Sequence, residues 1–194
     1  MDWSVILSSC IVAATTILSL FLKDYLQKKK SEEKACVEKC TIQNANVDKA
    51  VRYALDVLNA DRVSVYEFHN GESFYSGSHQ QKFSCTYESL KAGVSSEALN
   101  QQGLRISTFN QFILEVINEK LFKFHNIDML EDSLLKNWFS DRGVRSVSSI
   151  PIITLNKNII GILSVEFTSE SRKMDEKEIQ FLIEQSKIIC GYLI

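Results

Sequence analysis

The period of the hydrophobic positions changes repeatedly along the chain. From Trp3 to Leu22 the run WSVILSSCIVAATTILSLFL carries no charge. At ~1.5 Å per residue it makes a helix about 30 Å long, enough for a bilayer core. No basic residue precedes it and no A-x-A site follows it, so a retained span is expected rather than a cleaved signal peptide. Residues 23–60 then contain neither Gly nor Pro. Within them Val47, Val51, Ala54, Leu55 and Leu58 recur at i, i+4, i+7, i+8 and i+11, one apolar face of a helix. Residues 28–39 are far more polar, which predicts a solvated stalk.

Past residue 60 the period falls to two. Arg62–His69 alternates Val63 and Val65 against Ser64, Tyr66 and Phe68, and Asn70-Gly71 reads as the turn that ends this strand. Lys82–Leu90 is a second strand, with Phe83, Cys85 and Tyr87 expected on one face. Phe109–Lys120 has helical spacing, Leu121–His125 a short aromatic strand, and Glu131–Arg142 a helix stopped by Gly143. Val144–Ile153 and Asn158–Thr168 are two strands joined by Leu155–Asn158, and Pro151 is expected at a bulge or strand end. Asp175 and Glu178 open a final helix running to Ile194. Antiparallel hairpins with helices packed on the sheet define an α+β domain, its first and last helices side by side on one sheet face. The expected division is a tail and span over 1–22, a stalk over 23–44 and a soluble domain over 45–194.

This order, and the hairpin GVRSVSSIPIITLNKNIIGILSVEF followed by Met174-Asp-Glu-Lys-Glu-Ile179, resembles a GAF domain over roughly residues 45–194. The resemblance implies a GAF/PAS-like antiparallel sheet flanked by N- and C-terminal helices. It leaves function open, because such domains bind cyclic nucleotides, tetrapyrroles, haem, metal clusters or nothing. Neither the tetrapyrrole nor the cyclic-nucleotide signature is visible here, so the cofactor is unknown. A single span before such a domain also resembles the T-even phage holin, and FHNGESFYSG…KFSCTYE resembles small phage-encoded proteins. That likeness implies a lysis protein whose soluble domain binds a regulator.

Charge changes the picture mainly at the membrane flank. Only Asp2 and the α-amino group precede the span, whereas Lys23, Lys28, Lys29 and Lys30 follow it, which places the C-terminal bulk in the cytoplasm. This is opposite to the holin's orientation. Trp3, Ser8, Thr15, Ser19 and the three consecutive lysines are the expected membrane-contacting residues. Ser4, Ser8, Thr15 and Ser19 fall on one narrow stripe, which suits helix–helix association in lipid; the same hydroxyls could instead bond their own i−4 carbonyls. A homo-oligomer through the span and stalk is therefore expected, with Cys36 and Cys40 as thiols on one stalk face. The whole chain balances 22 Lys+Arg against 24 Asp+Glu, which argues against a nucleic-acid binder. Arg142, Arg145, Arg172 and Lys173 look too scattered to form a basic face.

Candidate chemistry gathers around one strand end. Tyr66, His69, Asn70, Tyr75, His79 and Cys85 are the expected ligand-binding residues of a small-molecule pocket. The plainer reading is a turn with satisfied polar groups beside core aromatics. His69, His79, Cys85 and His125 match no standard zinc spacing. No G-x-S-x-G, P-loop, H-E-x-x-H or C-x-x-C occurs, and a Cys in an apolar strand is inert, so no catalysis is expected. The expected function is a membrane-anchored, non-enzymatic sensory or interaction module.

Overall fold

The computed structural model describes the backbone of residues 3–73 and 79–194, without the side chains of 3–17, 24, 27–36 and 72. The chain divides into two compact units, 1–43 and 44–194. Helix α1 runs from Trp3 to Leu58, and its last turns belong to the second unit. Among the described residues no helix is long and apolar enough to cross a membrane. Most of the Trp3–Leu22 run, with Trp3, Ser4, Ser8 and Thr15, lies outside the described side chains, as do Lys28, Lys29, Lys30 and Cys36. Ser19 and Cys40 are described and exposed.

The second unit is built on a six-stranded antiparallel sheet in the order β3-β2-β1-β6-β5-β4. The strands are β1 (Arg62–Ser73), β2 (His79–Leu90), β3 (Leu104–Arg105), β4 (Phe122–Phe124), β5 (Ser146–Ile153) and β6 (Ile159–Phe167). Helices α2 (Asn110–Glu119) and α3 (Ser133–Ser140) intervene, and α4 (Glu176–Leu193) closes the chain. Period-two alternation divides the sheet into two faces. One face sends Val63, Val65, Leu163, Val165, Ile150 and Ile152 into a core shared with Val47–Leu58 of α1 and Leu182, Ile189 and Cys190 of α4. The other sends Tyr66, Phe83, Cys85, Val147 and Ile162 beneath a roof from α2 and α3. The expected helix pair on one sheet face is therefore present. Asp175 caps α4 in a full capping box with Glu178, and Asp132 caps α3 through the amides of Leu134 and Leu135.

Two local expectations give way. Asn70-Gly71 is not a turn: β1 continues through it to Ser73, and Asn70 pairs with Gln81 and Ser73 with His79. Gly71 is required there by close approach, because a Cβ would meet the Gln80 carbonyl oxygen at 2.6 Å. Tyr87 does not share a face with Cys85. Val65 pairs with Tyr87 and Tyr66 with Cys85, so Thr86 is an extra residue that turns Tyr87 towards the helix pair, where it donates to Asn44 Oδ1 at 2.6 Å. Pro151 lies within β5 opposite Ile162, next to an irregularity at Ile152/Ile153. The β4 pairing stops at Ser149, so no ladder bond on that edge is lost to the proline.

β6 passes close to β1 at Gly161, where a Cβ would lie 2.3 Å from the Tyr66 carbonyl oxygen. Gly161→Ala is expected to cost about 2 kcal/mol or more by forcing β6 off β1. Thermal unfolding of the full chain should show a midpoint roughly 6 °C lower; an unchanged midpoint would show that the two strands are not held this closely.

Candidate functional site

Beside the apolar core beneath the α2–α3 roof, the same sheet face buries a row of charges. Arg62 opens β1 and Glu166 sits near the end of β6, opposite it in register. Arg142, just past α3, reaches the same point, and all three are buried. Arg62 Nη1 donates to Glu166 Oε2 at 2.8 Å, and its Nη2 donates to the Ser95 carbonyl at 2.9 Å. Arg62 Nε lies 3.3 Å from Glu88 Oε1. Arg142 Nη2 lies 3.0 Å from Glu166 Oε1, Nη1 donates to the Tyr66 hydroxyl at 3.1 Å, and Nε donates to the Trp138 carbonyl at 3.0 Å. Two guanidinium groups and two carboxylates thus alternate as Arg142, Glu166, Arg62, Glu88.

The roof is aromatic. Trp138 lies over the Arg142 guanidinium, 4.0 Å from ring centroid to carbon, and packs on Phe109 and Phe139 at 4.9 and 4.7 Å. Its indole N–H donates to Gln101 Oε1 at 2.7 Å, which ties α3 to the loop leaving β2. Cation–π and edge contacts of this kind are strongest where water is excluded. Arg142 Nη2, Glu166 Oε1 and Arg62 Nε are buried without a directed hydrogen bond, although each stands at ion-pair distance from an opposite charge. These atoms are therefore held by ion pairing rather than by directed hydrogen bonds.

Burial disfavours charge on Arg142, but Glu166 and the Tyr66 hydroxyl outweigh it and hold the guanidinium firmly protonated. Burial drives the Tyr66 phenol well above its ordinary range, against the pull of Arg142. Burial, reinforced by Glu88, pushes the Cys85 thiol up to about 12, with the Ser64 hydroxyl acting weakly in the other direction. At the neighbouring sheet end, burial would raise the Asp61 carboxyl. Hydrogen bonds from the Ser169 amide and hydroxyl and from the Thr168 amide, together with Lys91, outweigh it and lower it instead.

The residues expected to form one pocket separate into two groups. Tyr66 and Cys85 are buried neighbours under the roof. His69, Asn70 and His79 lie on the exposed arm of the β1–β2 hairpin, and Tyr75 is outside the described residues. His69 Nε2 is 2.9 Å from Ser84 Oγ, and His79 Nδ1 is 3.2 Å from Ser73 Oγ. His125 follows β4, at the opposite edge of the sheet. Among the described residues no group of three His, Cys, Asp or Glu side chains could hold a metal ion. Arg62, Trp138 and Glu166 are not among the expected site residues, and Arg142 is one of the charges expected to be too scattered for a basic face. The legible signal was Glu166, an acid within the apolar strand IIGILSVEF.

The GAF domain family model matches residues 44–186. The chain belongs to the GAF family. Among solved structures it is similar to the blue-light absorbing form of the PixJ GAF domain of Thermosynechococcus elongatus, with 19% identity over 80% of this chain and 86% of that one and a TM-score of 0.66. It is also similar to GAF3 of Slr1393 from Synechocystis sp. PCC6803 in its photoproduct state, with 12% identity, 78% and 92% coverage and a TM-score of 0.62. A third neighbour is the GAF region of a protein described as a membrane protein from Geobacter sulfurreducens, with 15% identity, 82% and 97% coverage and a TM-score of 0.59. Comparison with curated proteins found no match. At these identities the neighbours show a shared fold.

Two outcomes test this account of the GAF face. Glu166→Gln leaves two buried guanidinium groups facing one carboxylate and is expected to cost about 3–5 kcal/mol in denaturant unfolding; a loss below about 1 kcal/mol would show that the row is hydrated. Cys85 should resist iodoacetamide at pH 8 until the domain unfolds, while exposed Cys40 reacts at once. The Cys85 thiol starts from an ordinary value of 9.0 and is held near 12 when folded, so its contribution to stability is complete below pH 9 and is lost as pH rises through 12.

Proposed function

We propose that the chain is a membrane-anchored, non-enzymatic GAF module whose soluble unit faces the cytoplasm and pairs with a second copy. The observation that carries this reading is helix α1. One helix begins in the uncharged run after Trp3 and ends at Leu58, inside the core that the sheet shares with α4. The lysines after Leu22 favour the cytoplasmic side. The Geobacter neighbour, itself described as a membrane protein, supports the pairing of such a domain with a membrane.

The sensing element in this reading is the roofed charge row. A small polar ligand displacing Trp138 would compete for the ion pairs that Arg62 Nε, Arg142 Nη2 and Glu166 Oε1 make without directed hydrogen bonds. Such a ligand acts only by its differential affinity for two packings of the roof and sheet. The sheet joins that face to the α1–α4 pair on its other side, which gives the change a route to the anchor or to a protein regulator. A protonated Cys85 with His69 on the opposite strand face offers no nucleophile–base pair, in keeping with a binding role.

Topology in intact cells tests the reading. An impermeant maleimide should label Cys36 and Cys40 only after the inner membrane is permeabilised, and a Cys36→Ser/Cys40→Ser variant should lose the signal. Labelling in intact cells whose outer membrane has been made passable would place the GAF unit outside and favour the holin-type lysis protein. No membrane-associated protein at all would remove both.

A further inference from the structure

Residues 91–103, between β2 and β3, form neither helix nor strand, and charged side chains of the buried row hold them down. The Glu88 carboxylate, the last acid of that row, accepts the Ser96 hydroxyl at 2.6 Å, the Glu97 amide at 3.2 Å and the Ala98 amide at 3.4 Å. Arg62 Nη2, next in the row, holds the Ser95 carbonyl. Apolar contact adds little: Ala98 packs on the roofed core, whereas Leu99 is 90% exposed. The segment is a strap with fixed ends. Its Lys91 amide bonds the Asp61 carbonyl, and its Gly103 amide bonds Ser84 Oγ. Gly93 and Gly103, with φ of +89° and +63°, stand near those ends, where a strap would hinge.

The same strap reaches the roof. The buried Gln101 donates its amide to the Glu97 and Ala98 carbonyls at 3.1 and 3.3 Å. Its side-chain oxygen is the acceptor for the Trp138 indole, and Trp138 covers the Arg142 guanidinium. Directed contacts thus close a ring that runs from Arg142 through Glu166, Arg62 and Glu88 into the strap. It returns through Gln101 and Trp138 to Arg142. The strap also lies over Cys85, whose amide donates to the Gln101 carbonyl at 2.8 Å and whose carbonyl accepts Gln102 Nε2 at 2.7 Å. A segment held by a few charged contacts, with little apolar burial, opens as a local unit well before the domain unfolds.

We propose that this strap is the gate of the roofed row and that Glu88 holds it shut. Breaking the Glu88 contacts frees Ser96–Ala98 and carries Gln101 away, so Trp138 loses its acceptor and the row opens beside Cys85. Glu88 is therefore a positioning residue that acts on Trp138 through the strap. As a gate the strap rests on the reading of the row as a sensor, but its opening does not need a ligand.

The test uses the full chain in phosphatidylcholine nanodiscs with Trp3→Phe, which leaves Trp138 as its tryptophan, and with no ligand added. Three rates are followed: hydrogen exchange at the Glu97 and Ala98 amides, acrylamide quenching of Trp138, and alkylation of Cys85 by iodoacetamide. Glu88→Gln puts a donor where the strap needs an acceptor and should speed exchange and alkylation about tenfold and quenching about twofold. Gln101→Leu breaks only the link to the roof; it should raise quenching and leave the other two rates unchanged. Thermal unfolding checks each fold. If Glu88→Gln does not fold, Ser96→Ala removes one contact from an exposed side chain and should shift the same three rates about threefold. Faster exchange at Glu97 and Ala98 with Trp138 and Cys85 unmoved would overturn the proposal, since the strap would then be a surface loop. Opening of the strap only together with the amides of β6 would overturn it as well. Because no ligand is present, these rates can bear out the gate even where the row binds nothing, and a ligand found for the row cannot rescue it.

Discussion

A carboxylate with no access to water stands at the centre of this domain. Glu166 is fully buried in a central strand, and its charge is tolerable only because Arg62 and Arg142 reach it from two different parts of the chain. Arg62 comes from the neighbouring strand, so its approach fixes the β1–β6 register. Arg142 comes from the end of α3, so its approach fixes where the aromatic roof sits on the sheet. Removing one partner would strand the others in a medium that cannot solvate them. Much of the architecture follows from satisfying that single acid.

The two sheet faces consequently do different work. The helix-pair face is an ordinary apolar core, in which Val47, Val51, Ala54 and Leu55 of α1 meet Leu182 and Ile189 of α4 across the sheet's valines and isoleucines. Its stability is non-directional and follows the apolar area removed from water. The roofed face is held by directed contacts: a guanidinium sandwiched between an indole and a carboxylate, a phenol, and an indole N–H on Gln101. Directed contacts have discrete alternatives, which is the property a two-state sensor requires.

What was legible in the sequence follows the same division. Periodicity located α1, α2, α4 and the β5–β6 hairpin because each depends on local spacing of apolar residues, and Asp175 with Glu178 announced its helix start through backbone capping alone. The extra residue at Thr86 was not legible, since a bulge is a property of two paired strands, and it reversed the side assigned to Tyr87. Asn70-Gly71 carries a turn signature that tertiary pairing overrode, because Gly71 is needed for close approach to Gln80. The charge row was the hardest to see: Arg62, Arg142 and Glu166 are separated by up to 104 residues, and only folding shows that they meet.

A double-mutant cycle between Arg142 and Glu166 bears most directly on this account, with Arg142→Met, Glu166→Met and the double variant compared with the parent by denaturant unfolding of the full chain. If the pair holds the roof on the sheet, the double variant will be more stable than the sum of the single losses requires, with a coupling of at least about 2 kcal/mol. Additive losses, with no coupling, would mean that the two charges do not sense one another and that the roof is held by apolar packing alone.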